Sequence, residues 1–201
     1  MVRIERLVTS GTFSLDGETF DVDNNVWIVG DDEEALIIDA AHDAGAIVDA
    51  LGGRRAVAIV CTHGHDDHID AAPEVALRTG APILLHPEDL PLWHMRHPAL
   101  QPTTHLTDGQ AIAVAGAELT VLHTPGHSPG AVCLHLPSEG VVFSGDTLFE
   151  GGPGATGRSF SDKPTILRSI TERLMTLPPA TVVHTGHGPD TTIGAEAGNI
   201  K

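Results

Sequence analysis

Short apolar blocks, separated by polar turns bearing glycine and proline, run the length of the chain, and their spacing predicts the elements. Val2 to Val8 alternates loosely and predicts a first strand. Asn25–Val29 and Ala35–Asp39 predict two strands joined by the acidic turn Gly30-Asp31-Asp32-Glu33-Glu34. Asp43 to Leu51 has helical spacing and stops at Gly52-Gly53. Ala56–Cys61, rich in β-branched residues, predicts a buried strand. Ile69–Thr79 then predicts a helix ended by Gly80, and Pro82–His86 another strand. Pro87 to His105 is the least regular segment, read either as a flap over a site or as a plain surface excursion. Strand-like runs follow at Ala111–Val114, Glu118–His123, Ala131–Leu136 and Val141–Ser144. A loop spans Gly151–Gly157, an amphipathic helix Lys163–Leu177 and a last core strand Thr181–His184. Strands come first and then alternate with helices, in two strand-rich halves. That order is α/β, with no low-complexity segment and no internal boundary, so residues 1–201 are expected to form one domain.

Composition narrows the partners. A chain of 201 residues can bury a substantial core. Lys and Arg total 11 against 27 Asp and Glu, a formal charge of −16 that repels phosphate backbones, so no nucleic acid is expected as partner. Cys61 and Cys133 are too few for a disulfide framework and lie in apolar runs, where they read as buried free thiols. The N-terminus lacks the apolar core of a signal peptide. No stretch approaches the ~20 apolar residues that span a bilayer. A cytoplasmic protein without a membrane partner is expected; the oligomeric state is not legible.

The chemistry concentrates in Thr62-His63-Gly64-His65-Asp66-Asp67-His68, directly after the Ala56–Cys61 strand. Three imidazoles and two carboxylates within six residues is costly crowding for packing alone, since His and Asp are mostly exposed or partnered. The bland alternative is a His-rich surface turn. Three further stretches each follow an apolar run and carry one ligand-type residue amid turn residues. They are Thr124-Pro125-Gly126-His127-Ser128-Pro129-Gly130, Ser144-Gly145-Asp146-Thr147-Leu148-Phe149 and Thr185-Gly186-His187-Gly188-Pro189.

In that order these motifs resemble the metallo-β-lactamase superfamily, and within it the glyoxalase II-like thioester hydrolases, over about Asn25 to Pro189. The resemblance implies a four-layer αβ/βα sandwich. It also implies that His63, His65 and His127 hold one metal, that Asp67, His68 and His187 hold a second, and that Asp146 bridges them, with Asp67 counted among the catalytic residues. Five imidazoles and two carboxylates without a thiolate suit two divalent ions, Zn²⁺ first, with Fe or Mn tolerated. Such a pair would lower the pKa of a shared water and yield a bridging hydroxide. A thiolate leaving group, of pKa about 8.5, needs little help from a general acid. Asp39 matches a family position that orients ligands from behind; its bland reading is a turn carboxylate. His123 is kept out of the ligand set, and His42, His86, His135 and His184 are read as structural.

Within the superfamily, Asp146 stands where secreted class B1 lactamases are expected to carry Cys, and class B3 enzymes lack the bridge, so a lactamase is not expected. His65 argues against the flavodiiron relatives. The rival is a mononuclear iron persulfide dioxygenase, whose metal run is usually followed by Thr-Gly where this chain has Ile69-Asp70-Ala71; a lactone hydrolase and a metal-stabilised scaffold without turnover also stay open. The chain runs only a few residues past His187 and has no Tyr, so the glutathione-binding helical domain and tyrosines of glyoxalase II are not expected. Arg158 and Phe160 fall where glyoxalase II has a Lys and a Tyr facing the thiol carrier, and are the candidate substrate-binding residues for a small thiol ester. Arg158 paired with Asp162 on the surface is the alternative.

Overall fold

The computed structural model describes residues 2–200. The chain opens as a long antiparallel hairpin, β1 (Arg3–Leu15) and β2 (Glu18–Gly30), paired continuously from Arg3 with Gly30 to Leu15 with Glu18. Asp16 and Gly17 turn it with φ of 55° and 80°, the pair of positive angles that a two-residue hairpin matching the strand twist requires. The hairpin is nearly twice the length predicted for its strands. Its outer half carries mixed polar residues that face solvent, so no apolar block marks it.

After β3 (Glu34–Ile38) come α1 (Ala44–Leu51), β4 (Arg55–Val60), α2 (Asp66–Ile69), α3 (Ala72–Thr79) and β5 (Ile83–Leu85). A 3₁₀ turn at Pro87–Asp89, α4 (Leu90–Arg96) and β6 (Thr104–His105) complete this half. The helix predicted over Ile69–Thr79 is two helices, because Pro73 lies in the first turn of α3, where its missing N–H costs nothing. The second half holds β7 (Ala111–Val114), β8 (Ala117–His123), β9 (Val132–Leu136), β10 (Val141–Gly145), and the short hairpin β11 (Leu148–Phe149) and β12 (Gly152–Pro153). It ends with α5 (Lys163–Ser169), which runs into a π-helical turn at Ile170–Leu174, then β13 (Val182–Thr185), β14 (Thr191–Thr192) and α6 (Ile193–Glu196).

Two six-stranded sheets result, ordered β1-β2-β3-β4-β5-β6 and β14-β13-β10-β9-β8-β7. Alternation along β3 shows how they pack. Leu36 and Ile38 point into the layer between the sheets, with Trp27, Val121, Leu134 and Phe143. Ala35 and Ile37 point the other way, under helices that bring Ile47, Val75 and Trp93. Both faces are buried, which is why β3 reads as an unbroken apolar run. Val142 and Val183 on the outer face of the second sheet are covered by Ile166, Ile170 and Ile193 from α5, the π turn and α6. Helix, sheet, sheet, helix is the four-layer αβ/βα sandwich. Trp27 Nε1 donates to Thr185 O at 3.0 Å and pins the sheets together beside β13. Cys61 and Cys133 are buried and free. Among the described residues no helix is long and apolar enough to cross a membrane.

Candidate metal centre

Four strands deliver ligand-type side chains to one rim. β3 and β4 are parallel, as are β10 and β13. β8 is antiparallel to β9, which is antiparallel to β10, so β8 runs in the sense of β10. The segments after β8, β10 and β13 therefore open on the same side with His127, Asp146 and His187, and the segment after β4 meets them there with His63 to His68. The turn after β13 is tight: a Cβ on Gly186 would fall 2.3 Å from Asp146 Oδ1 and 2.8 Å from His68 Cε1.

These side chains form two groups. His63 Nε2 and His127 Nε2 each lie 3.0 Å from His65 Nδ1. His68 Nε2 lies 3.1 Å from His187 Nε2, and Asp67 Oδ2 is 3.5 Å and 3.3 Å from those two nitrogens. Asp146 stands between the groups. Its Oδ1 is 3.4 Å from His68 Nε2, and its Oδ2 is 3.4 Å from His187 Nε2 and 3.6 Å from His127 Nε2. Each group, and also His63 with His68 and Asp146, is compact enough to hold a metal ion.

The electrostatics fit cations rather than hydrogen bonds. Burial, and then the neighbouring rings, hold His63 well below its ordinary pKa. Burial and then His127 bring His65 down to about 3. Each neutral ring keeps one nitrogen lone pair, and His63 Nε2 and His65 Nδ1 converge at 3.0 Å. Burial also opposes charge on His68 and His187, but Asp67 and Asp146 outweigh it, helped at His68 by Asp39, and push these two up to about 9 and about 11. With Nε2 atoms 3.1 Å apart, both cannot carry a proton on the facing edge. Asp146 is held well below the carboxylate range by His187 and His68 against the opposing effect of burial, yet its Oδ1 is buried without a hydrogen-bond partner. Converging lone pairs, paired carboxylates and an orphaned anionic oxygen are the donor set of a metal site.

The outward nitrogens of His63, His68, His127 and His187 are tied down, while His65 Nε2 is buried without a partner. His68 Nδ1 donates to Asp39 Oδ2 at 2.9 Å. His63 Nδ1 donates to Thr62 Oγ1 at 3.1 Å, and that hydroxyl donates to the same Asp39 oxygen at 2.7 Å. Asp39 is buried and held at φ of 56°, with its oxygens accepting from Thr62 N, Thr62 Oγ1 and His68 Nδ1. His127 Nδ1 donates to Ala155 O at 2.9 Å and His187 Nδ1 to Asp23 O at 2.7 Å. Such contacts fix the tautomer that leaves the inner nitrogen free. Asp89, which the sequence did not single out, is fully buried and binds both metal turns: Gly64 N and Ser128 Oγ donate to Oδ2, and Gly130 N to Oδ1. It lies in the irregular 87–105 segment, which thus braces the site from behind at that point. In the sequence only the adjacent carboxylates Glu88 and Asp89, between His86 and α4, stand there to mark it.

A cavity of about 160 Å³ opens over the site, lined by Phe13, Val22, His65, Asp67, His127, Asp146, Ala155, Thr156, Arg158, Ser159, Ser161 and His187. Arg158 pairs with Glu18 at the hairpin tip, 2.6 Å away, and not with Asp162; its guanidinium also lies 4.8 Å from the Phe20 ring centre. Phe160 does not line the cavity and is exposed. The aromatic wall is Phe13, 5.2 Å from the His65 ring, delivered by the part of the hairpin that has no apolar signature.

The remaining histidines separate. His184 pairs with Asp190 and packs on Trp27. His86, Glu88 and His123 also come close together. However, the two rings stack at 4.1 Å and 16°, so their in-plane lone pairs lie in parallel planes and cannot meet on one ion. His123 Nε2 instead donates to Pro129 O at 2.9 Å.

Comparison with known proteins agrees with this architecture. The metallo-beta-lactamase superfamily model matches residues 19–187. The chain is 33% identical over 186 residues to the protein named "Probable metallo-hydrolase YqgX" of Bacillus subtilis (strain 168), covering 86% of this chain and 88% of that one. It is 34% identical over 164 residues to a hydroxyacylglutathione hydrolase of Fuscovulum blasticum, covering 76% of this chain and 60% of that one. Among solved structures, the BLEG-1 B3 metallo-beta-lactamase has a TM-score of 0.77 at 33% identity, with coverage of 96% of this chain and 98% of that one. TTHA1623 in a di-iron-bound form has a TM-score of 0.79 at 34% identity, with coverage of 89% and 94%.

Proposed function

The chain belongs to the metallo-beta-lactamase superfamily, and from that membership we propose that it is a dinuclear metal-dependent hydrolase that cleaves a thioester of a low-molecular-weight thiol. His63, His65 and His127 would hold one ion, Asp67, His68 and His187 the other, and Asp146 would serve both. The observation that carries this is Asp146, whose carboxylate lies between the two groups with its Oδ1 buried and unpartnered. The di-iron-bound relative supports two ions, and the donor set suits Zn²⁺ while tolerating Fe or Mn. When bound, the ions supply a water of lowered pKa and a Lewis acid for the substrate carbonyl.

The chain's own residues do the rest. Asp39, Thr62 Oγ1, Ala155 O and Asp23 O keep His68, His63, His127 and His187 aimed inward. Phe13 and Val22 wall the cavity on the hairpin side and exclude water from the reacting carbonyl. Among the described residues, and apart from the ligand set, Arg158 is the one charged side chain lining the cavity, and no further carboxylic acid or imidazole lines it to protonate a poor leaving group. A thiolate, of pKa about 8.5, needs no such help, whereas an amine or alkoxide does. That asymmetry favours a thioester over a lactam or lactone. Arg158 lines the cavity and, once released by Glu18, would read a polar or anionic end of the thiol. The chain spans 60% of the hydroxyacylglutathione hydrolase, and glutathione itself is not implied.

The test is the protein reconstituted with Zn²⁺, and separately with Fe²⁺, against thioesters of several small thiols, lactones, a β-lactam and glutathione persulfide. Thiol release from thioesters should exceed every other turnover. Faster β-lactam opening, or oxygen uptake with persulfide at one iron per chain, would overturn the proposal.

A further inference from the structure

Asp67 is held from behind by a chain of polar side chains that the ligand set does not include. Its Oδ2, the oxygen facing His68 and His187, accepts Asn24 Nδ2–H at 3.1 Å. Asn24 Oδ1 faces His42 Nε2 at 2.8 Å, and His42 Nδ1 lies 3.1 Å from Asp70 Oδ2, while Asp70 Oδ1 accepts His42 N–H at 2.7 Å. The roles are forced by donor and acceptor chemistry. An ionised Asp67 can only accept, so Asn24 turns its NH₂ toward Asp67 and its C=O toward His42, which must donate. A flipped Asn24 would set its amide oxygen against the Asp67 carboxylate oxygen, with no proton between them.

The fold makes room for this chain at a cost. Asn24 is fully buried in β2. His42 sits at φ of 62°, a region that non-glycine residues rarely occupy. Gly11 in β1 lies against the imidazole, and a Cβ there would fall 2.2 Å from His42 Nδ1. Filling space would require none of these, since an aliphatic side chain would serve.

We propose that Asn24 and His42 are positioning residues for the second ion: His42 locks the orientation of the Asn24 amide, and the amide fixes the Asp67 oxygen that faces the ion. This rests on the ligand assignment above. Loss of a contact behind a ligand weakens metal binding on the order of ten- to a hundredfold.

The experiment follows metal, not turnover. Wild type, Asn24→Asp, His42→Ala and His42→Gln are stripped with chelator and titrated with Zn²⁺ against a competing chromophoric chelator. Co²⁺ absorption spectra are recorded in parallel, with thermal unfolding of each stripped protein. Asn24→Asp is isosteric and sets carboxylate against carboxylate, so it decides the matter even if truncation at 42 unfolds the chain. Expected are weakening of the second ion by roughly ten- to a hundredfold in Asn24→Asp and His42→Ala with the first ion unchanged, an altered cobalt spectrum, and partial recovery in His42→Gln. Variants with wild-type affinities and spectra overturn the proposal alone, as does equal loss of both ions together with stability, which would mark a general scaffold. A wild-type protein that binds one ion overturns the dinuclear reading and this proposal with it.

Discussion

Replacing Asp89 should unfasten the two turns that carry His63, His65 and His127, and the cost can be worked from its contacts. The carboxylate takes Gly64 N at 2.7 Å and Ser128 Oγ at 2.6 Å on Oδ2, and Gly130 N at 2.6 Å on Oδ1. Asp89→Ala strands three buried donors, each worth about 1–3 kcal/mol when left unmade. Part of that is returned, because burying a carboxylate is itself unfavourable and burial pushes the Asp89 pKa up. The net loss should be about 3–5 kcal/mol, the scale of a broken buried charged cluster. At about 2–4 °C per kcal/mol for a chain of this size, Tm should fall by roughly 6–20 °C. Asp89→Asn can still accept from Gly64 and Ser128 but turns its NH₂ toward the Gly130 N–H, so it should lose about half as much. The assay is urea and thermal unfolding of chelator-stripped proteins, since bound metal would add its own linkage. If Asp89→Ala lies within about 1 kcal/mol of wild type, the three contacts do not brace the turns.

Asp146→Ala should abolish nearly all hydrolysis and cost at least one of two ions while the fold survives, as read by elemental analysis and circular dichroism; two tightly held ions and near-normal rates would contradict its placement between the groups. His123→Gln, which changes a side chain bonded to Pro129 O and not to the site, should keep both ions. Arg158→Ala should lower kcat/KM roughly ten- to a hundredfold on thioesters of charged thiols, mainly through KM, with Lys recovering part; an equal loss on a small neutral thiol ester would mean that Arg158 only latches the hairpin through Glu18. Chelation of the loaded protein should lower Tm in a metal-concentration-dependent way, and unchanged melting across added Zn²⁺ would show that no ion binds the folded state.

What the sequence made legible follows from where information is local. The turn after β4 announces itself because five ligand-type residues crowd into six positions, and the apolar blocks mark the core strands because both of their faces are buried. The outer half of the hairpin is silent by the same logic. Thr9–Leu15 and Glu18–Asn24 pair only with each other over most of their length and leave polar side chains in water, so the one local sign was Asp16-Gly17 between Phe13 and Phe20. Yet that stretch supplies Phe13, Val22 and Asn24, and its tip holds Arg158 through Glu18. Asp89 and His42 were hidden for another reason. A single polar residue has no period, and whether it is buried depends on partners 39 to 41 residues away for Ser128 and Gly130, or 18 and 28 away for Asn24 and Asp70. Ligands are therefore read from composition and order, while the groups that aim them are read only from packing. Relatives that share the ligand motifs can thus differ in these supports.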